Sequence, residues 1–446
     1  MPLTTEQREL LKSLYLRLAD EALKPGNEFY EPIYGHEGCE DPVALMQQHI
    51  EWTNTESVQM FSGFRGSGKT TELFRLKKGL EAKGYFVLYG DALKYLNPAQ
   101  EIDITDLLIG LAGTFSDALE KDGVASISQD SYWDRLKNYL TTTKVELGEV
   151  GLKAGADLKL NLETSPTFRQ LLQQKLANRI GEVKRDVDLF FEDGVKAIRV
   201  RKGGEFAGIV FLFDQMEQIR GTLSNEQSVI HSVERLFSLH LKRLEIPYLH
   251  MVYTVPPWLK FVLPNTVQIQ MLPSIRQWNN DPGRSEYKPG RTALRSLVHR
   301  RFRDGDFAKF FGSKGPQHDK ADKLIDVCGG HFRDLLILLR EAVRRTPQLP
   351  VTDDAIQNAI TAVRSNYLPI AIEDAQWLNE IERVRGTVLP NTDPASVNRL
   401  TRFLDTHFVL YFTNGKEWYD IHPLIRDEVA EIVKRDAARK TVVAKA

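Results

Sequence analysis

The sequence predicts an α/β fold built on a parallel sheet, and two observations carry that prediction. The first is the stretch FSGFRGSGKTT at residues 61–71, where a short strand-like segment runs through a glycine-rich turn into an amphipathic helix. The second is the recurrence of short apolar runs: YFVLY at 85–89, IVFLF at 209–213 and YLHMVYTV at 248–255. Continuous apolar runs of this length read as strands buried on both faces. Their alternation with helical patterns is the signature of a sheet covered by helices.

The glycine-rich turn carries chemistry. Gly63, Gly68, Lys69 and Thr70 fit the pattern GxxxxGK[ST], the phosphate-binding loop of P-loop NTPases. Gly63, Gly66 and Gly68 have no Cβ, so the backbone can take positive φ and approach an anion closely. Successive N–H groups then form a nest for phosphates. The helix expected from about residue 69 to 80 aims its positive end at the same place. Lys69 adds a cation, and the Thr70 hydroxyl would complete a Mg²⁺ shell. The candidate ATP-binding residues are therefore Gly63, Phe64, Arg65, Gly66, Ser67, Gly68, Lys69, Thr70 and Thr71.

Composition narrows the class. Lys plus Arg number 59 and Asp plus Glu 60, so whole-chain charge gives no sign of a nucleic-acid partner and any basic surface must be local. Cys39 and Cys328 stand far apart, which argues against a disulfide framework or a CxxC metal site and fits a reducing cytosol. The N-terminus MPLTTEQREL has no apolar signal core, and no apolar run approaches the roughly 20 residues a membrane helix needs. The expectation is a soluble cytoplasmic protein of two to four units, with no membrane partner.

In chain order, residues 5–23 read as a helix with Leu10, Leu11, Leu14, Leu18 and Ala22 on one face, ended by Pro25-Gly26. In the loop that follows, Ile33 or Tyr34 is a candidate cover for an adenine, with ordinary packing the other reading. A helix starts at Asp41-Pro42 and ends near Trp52, and another is expected over 104–119. Over 141–165 apolar residues fall at every second position, at Leu152, Ala154, Ala156, Leu158, Leu160 and Leu162. That alternation predicts an inserted β-hairpin, followed by one long helix over 166–191.

GIVFLFDQMEQ at 208–218 is the second chemical motif. Asp214 ends a buried strand at its carboxyl edge, where ligands bind in doubly wound sheets, and can hold the Mg²⁺ shell. Gln215 cannot act as a base, so Glu217 is the candidate for positioning an attacking water. Thr254 ends the strand at 248–255, after a helix at 228–244, and 267–272 is the fifth strand. Residues 279–290 read as a linker. The arginines at 291, 295, 300, 301 and 303 read as a solvated face, with an arginine finger or contacts to nucleic-acid phosphates as the functional alternatives. Gly329-Gly330 precede a helix whose first turn holds Arg333, which on a lid could reach a γ-phosphate. After residue 366, helices at 370–384 and 394–404, a hairpin through Asn414-Gly415 and a last helix opened by His422-Pro423 suggest a winged-helix domain.

The order GFRGSGKT, FLFDQMEQ, a Thr-tipped strand, GGHFRDL and a winged helix resembles AAA+ and STAND ATPases from about residue 28 to 435. GGHFRDL looks like the sensor-2 helix of AAA+ proteins near the origin-recognition group. DQME looks like the spaced acidic motif of NACHT-type STAND proteins. The resemblance implies a P-loop NTPase parallel sheet with a helical lid and a C-terminal winged-helix domain. It divides the chain into an N-terminal helical segment (1–52), an ATPase core (53–278), a lid (291–365) and a winged-helix domain with a polar tail (366–446). It also implies catalytic roles for Lys69, Asp214, Glu217, Thr254 at the sensor-1 position, and Arg333 at sensor 2. Thr70 and Asp214 would be metal-associated, and ATP and Mg²⁺ the cofactors. WYDIHPLIRDEV resembles the end of the STAND winged helix, where a His contacts the ADP β-phosphate, which would make His422 the switch residue. A His that caps a helix or meets a neighbouring acid is the other reading. The sequence departs from STAND proteins in having no Arg at Thr254-Val255-Pro256. The expected function is a slow ATPase switch controlling a separate effector or sensor protein, in a homo-oligomer or alone, with a bacterial defence or conflict system as one setting. The alternative is a DNA-bound AAA+ loader or transposition-type ATPase.

Overall fold

The computed structural model describes residues 3–35, 40–124, 131–142, 155–203, 206–222, 224–264, 267–302, 305–312, 317–386 and 394–443. In chain order its elements are α1 (Thr5–Arg17), α2 (Pro42–Trp52), β1 (Ser57–Gly63), α3 (Lys69–Ala82), β2 (Phe86–Asp91), α4 (Ile104–Lys121), α5 (Tyr132–Thr142), α6 (Gly155–Thr164), α7 (Pro166–Leu176), α8 (Ile180–Lys202), β3 (Ile209–Asp214), α9 (Glu226–Leu239), β4 (Leu249–Val255), β5 (Ile269–Leu272), α10 (Lys288–Arg301), α11 (Asp306–Phe311), α12 (Gln317–Val327), α13 (Phe332–Arg345), α14 (Asp353–Arg364), α15 (Ile372–Val384), α16 (Pro394–Asp405), β6 (Val409–Thr413), β7 (Glu417–Ile421) and α17 (Arg426–Val443). The chain forms two compact units. One comprises Met1–Pro42, Gly63–Phe74 and Leu272–Ala446, and the other Val43–Ser62 and Arg75–Met271.

The second unit holds the sheet, in the order β2-β3-β4-β1-β5. β2, β3, β4 and β1 pair in parallel. Every residue of β3 and β4 is buried, as unbroken apolar runs require of strands covered on both faces. The register sets Asp91 at the end of β2 beside Asp214 at the end of β3. On the amphipathic α4, Asp103 caps the first turn and accepts from the amides of Thr105 and Asp106. Phe115 on α4 meets Phe191 of α8 and Phe211 of β3 at ring distances of 4.2 and 5.5 Å, so one aromatic cluster ties two helices to the sheet.

Three local expectations need correction. The hairpin expected over 141–165 is helical wherever it is described: α5 runs to Thr142 and α6 occupies Gly155–Thr164, while 143–154 lie outside the described residues. Gly155, Leu158 and Leu162 are buried, whereas Leu160 is 59% exposed. The period is thus helical, and Leu, Lys, Asn and Glu at the intervening positions tolerate it. The single helix expected over 166–191 is two, α7 and α8; Ser165 caps the first on the Phe168 amide, with Pro166 in its first turn. The N-terminal helix stops at Arg17, and buried Leu18 closes it.

In the first unit one apolar core gathers Leu14 of α1, Leu297 of α10, Phe310 of α11, Leu324 of α12, Leu335 and Leu339 of α13, Ile356 of α14 and Leu424. Beyond it, α15, α16, the antiparallel β6-β7 hairpin and α17 follow in the order of a winged helix. Arg284 ties the segment before α10 to this C-terminal part, donating to Asp420 at 2.7 Å and Glu382 at 3.0 Å.

Candidate functional site

The phosphate loop begins where β1 ends. Gly66 and Gly68 take φ of +84° and +93°, the left-handed region that the missing Cβ permits. At Gly66 the need is also one of space, since a Cβ there would lie 2.6 Å from the Arg333 Cβ. Lys69 is buried and donates from Nζ to the carbonyl oxygens of Gly63 and Phe64, both at 2.9 Å. Ser67 Oγ is buried with no hydrogen-bond partner, and a buried hydroxyl left this way is costly unless a ligand supplies the bond. That orphan, with the left-handed glycines beside it, fits the phosphate chain of a nucleotide.

A shallow pocket opens against the loop, lined among others by Phe29, Tyr30, Ile33, Tyr34, Ser67 and Phe332. Its aromatic and aliphatic walls suit a flat base, and they include both residues considered as adenine covers. The segment that supplies them is held locally. The Leu23 amide donates to Thr71 Oγ1 at 3.0 Å, Tyr30 to Glu72 at 3.2 Å, and Tyr34 to the Pro273 carbonyl at 3.0 Å.

The lid reaches the loop through the start of α13. Gly329 and Gly330 both have positive φ, and the Gly330 backbone accepts from the Ile275 amide at 2.9 Å. His331, next in the chain, contacts the Arg65 carbonyl through Nε2 at 3.0 Å and Asp334 Oδ2 through Nδ1 at 2.8 Å. A carbonyl and a carboxylate can only accept, so both contacts call on the ring nitrogens as donors. The Arg333 amide donates to the Gly66 carbonyl at 3.2 Å, and the Arg333 guanidinium pairs with Asp20.

Asp334 is the hub of this region. Besides His331, its Oδ2 accepts from Tyr367 at 2.8 Å and from His422 Nε2 at 3.1 Å. Burial would raise this carboxyl, but His331 and then His422 outweigh it and hold it well below the usual carboxylate range. His422 is fully buried; its Nδ1 accepts from the Leu424 amide at 3.2 Å, capping the turn Pro423–Ile425. Burial lowers its basicity against the opposing pull of Asp334. His422 therefore both caps a turn and meets an acid. Its reach toward the phosphate loop runs through Asp334 and His331.

The other unit carries the acids at the strand ends. Asp214 is fully buried and accepts from Tyr89 at 2.9 Å and from the Gln215 amide at 2.8 Å. Burial, and then Asp214 itself, keeps the Tyr89 phenol protonated and donating. Gln215 takes φ of +74°, and its side chain donates to Asp91 at 2.7 Å. That left-handed residue swings the chain into a short turn, Met216–Gln218, which brings Glu217 back beside β4. There Thr254 donates to Glu217 at 2.9 Å and accepts from the Met216 amide at 3.3 Å. The sequence thus names Asp214, Glu217 and Thr254 as one group, and the structure joins the last two directly. Asp91 was missed. Burial raises its carboxyl, and the charge of Glu217 adds to the effect. Its signal lay two residues past the expected end of the strand, after Gly90.

The arginines of α10 are engaged internally. Arg291 pairs with Asp326, Arg295 with Asp322 at 2.6 Å, and Arg300 with Glu31. Arg301 is buried with its guanidinium 4.6 Å from the Phe29 ring centre, and Arg303 lies outside the described residues. Thr70 and Asp214 are hard oxygen donors of the kind Mg²⁺ takes. Among the described residues His331, Asp334 and His407 bring ligand atoms within 4.8 Å of one another, but both nitrogens of His331 already have partners.

No protein-family model and no curated protein matches the chain. Among solved structures it is similar to a Walker-type ATPase of Pyrococcus abyssi, at 12% identity and a TM-score of 0.39, over 88% of this chain and 94% of that one. It is similar to the ORC2 protein of Aeropyrum pernix in its ADP form, at 12% identity and a TM-score of 0.40, over 93% and 99%. Cdc6p from Pyrobaculum aerophilum aligns at 9% identity and a TM-score of 0.31, over 89% and 93%. Similarities this low carry no argument about substrate or partner. The fold itself, a P-loop parallel sheet followed by a helical lid and a C-terminal winged helix, is carried by the chain's own elements.

Proposed function

We propose that the chain is an ATP-binding and ATP-hydrolysing regulatory switch that acts on a separate partner protein. The observation that supports this most is the grip of the lid on the phosphate loop, where His331 and the Arg333 amide hold the consecutive carbonyls of Arg65 and Gly66. A lid bonded to the loop that holds the phosphates is placed to respond to what the loop holds.

In this reading the loop amides and Lys69 bind the β- and γ-phosphates, and Lys69 exchanges its present carbonyl partners for phosphate oxygens. Thr70 and Asp214 would hold Mg²⁺, which neutralises charge on the phosphates when bound. Glu217, oriented by Thr254, accepts the proton of the attacking water. Arg333 exchanges Asp20 for the γ-phosphate, and His422 acts on the nucleotide through the Asp334 hub. A DNA-bound AAA+ role would need basic surface, and Arg291, Arg295 and Arg300 are instead paired with carboxylates. Cytoplasmic location and a defence or conflict setting belong to the same proposal.

The test is calorimetric titration of ATP and ADP into wild type and Lys69→Ala. Wild type should bind both, and the variant should bind ATP at least about tenfold more weakly, or roughly 1.4 kcal/mol. Equal affinities would overturn the site. A salt-dependent DNA-binding assay should show no binding; DNA binding that weakens with salt would favour the rival.

A further inference from the structure

We propose that His331 is a positioning residue for the phosphate loop, fixing its backbone through the Arg65 carbonyl while Asp334 fixes His331. This rests on the nucleotide-binding reading above and adds to it a residue that the sequence motifs do not single out.

The argument starts from the peptide plane. In a trans peptide the carbonyl of one residue and the N–H of the next lie in one plane and point in opposite directions. Holding the Arg65 carbonyl toward α13, at 3.0 Å from His331 Nε2, therefore turns the Gly66 N–H the other way. Holding the Gly66 carbonyl, at 3.2 Å from the Arg333 amide, does the same for the Ser67 N–H. That N–H closes the loop on the Phe64 carbonyl at 3.1 Å. Two neighbouring peptide planes of the phosphate loop are thus oriented by the first residues of one lid helix.

His331 is itself tightly placed. It is buried, and its ring packs at a tilt of 47° against His407, 4.1 Å between ring centres. Its second nitrogen is committed to Asp334, whose same oxygen takes Tyr367 and His422. Buried polar chains of this kind are rigid when every member is satisfied. A change at His422, in the C-terminal part, is therefore felt at Arg65 through three hydrogen bonds, by way of Asp334 and His331, within one compact unit. The chain thereby gains a route from the winged-helix end to the phosphate loop in which no residue of the winged helix touches nucleotide.

Two substitutions separate positioning from mere packing. His331→Gln carries an amide donor near the place of Nε2 and keeps the bond to Arg65. His331→Asn carries one near Nδ1 and keeps the bond to Asp334 alone. The expected result is that H331Q binds ADP and ATP within about threefold of wild type, while H331N loses about tenfold or more. Amide hydrogen exchange of residues 63–70 should quicken in H331N and not in H331Q. Equal behaviour of the two variants in both measurements would overturn the proposal. Should H331N fail to fold, Asp334→Asn, which strips the ring of its carboxylate, takes its place against H331Q with the same expectations. Failure of the nucleotide reading shows separately, as wild type that binds neither nucleotide, and the exchange measurement then still decides the role of His331.

Discussion

At the scale of the residue, the acids at the strand ends divide their work by their partners. Asp214 accepts from a phenol and from a backbone amide, which hold its carboxylate in place. Glu217 sits on a short turn and accepts from the Thr254 hydroxyl. Gln215 stands where a catalytic Glu often follows the strand acid, and its left-handed backbone is what returns Glu217 to the sheet. Glu217→Gln should therefore keep ATP binding and slow turnover by roughly 10²- to 10⁴-fold, the usual worth of a positioned base. Phosphate release under single turnover reads this out. Wild-type turnover in the variant would move the base elsewhere. Asp214→Asn should instead weaken the Mg²⁺-dependent part of ATP binding. Asp214, Glu217 and Thr254 stood out in the sequence because their residue types sit at or just past the ends of apolar runs. Asp91 was not, because only the register of β2 on β3 sets it beside Asp214.

At the scale of the element, α13 matters for where it begins. Its start is set by Gly330, at φ +72°, where a Cβ would fall 1.8 Å from the Ile275 carbonyl oxygen. A left-handed L-residue alone costs about 1–2 kcal/mol, and the clash adds to it with backbone that cannot move aside cheaply. Gly330→Ala should lower the thermal midpoint clearly and weaken nucleotide binding, since it shifts His331 and Arg333 together. A variant as stable as wild type would show that the close approach is not needed. That a helix follows Gly329-Gly330 was plain from the sequence, whereas its contact with the phosphate loop was not, because a local pattern names an element without naming what covers it.

At the scale of the whole molecule, the Asp334 hub makes stability depend on pH. Burial keeps His422 less basic in the folded chain. Below about pH 6.5, the ordinary histidine range, the unfolded chain takes up a proton that the folded chain resists. Stability then falls as pH drops. Asp334 acts in the same direction further down. Its carboxyl is held low in the folded state, so its contribution is present above the ordinary carboxylate range near pH 4 and is lost as pH falls through and below it. The unfolding midpoint should fall between pH 7.5 and pH 5. His422→Gln, which keeps a donor for Asp334 and cannot titrate, should flatten that first fall. An identical slope in the variant would place the pH sensitivity in other groups.

The sequence by itself determined the phosphate loop, the buried strands, the acids at their ends and the helix–helix–hairpin–helix order of the C-terminal part. Each of these rests on local chemistry: glycine's freedom at positive φ, unbroken apolar runs, and turn formers at fixed offsets. The tertiary structure alone decided what is non-local. It made 155–164 a helix, because burial of Leu158 and Leu162 selects one period where alternating apolar residues admit two. It paired Arg295 and Arg300 of α10 with acids that are distant in sequence. It also gathered His331, Tyr367 and His422, the outermost of them far apart in sequence, onto a single carboxylate oxygen of Asp334. A histidine's role is set by which acceptor faces each ring nitrogen, and that is a property of packing.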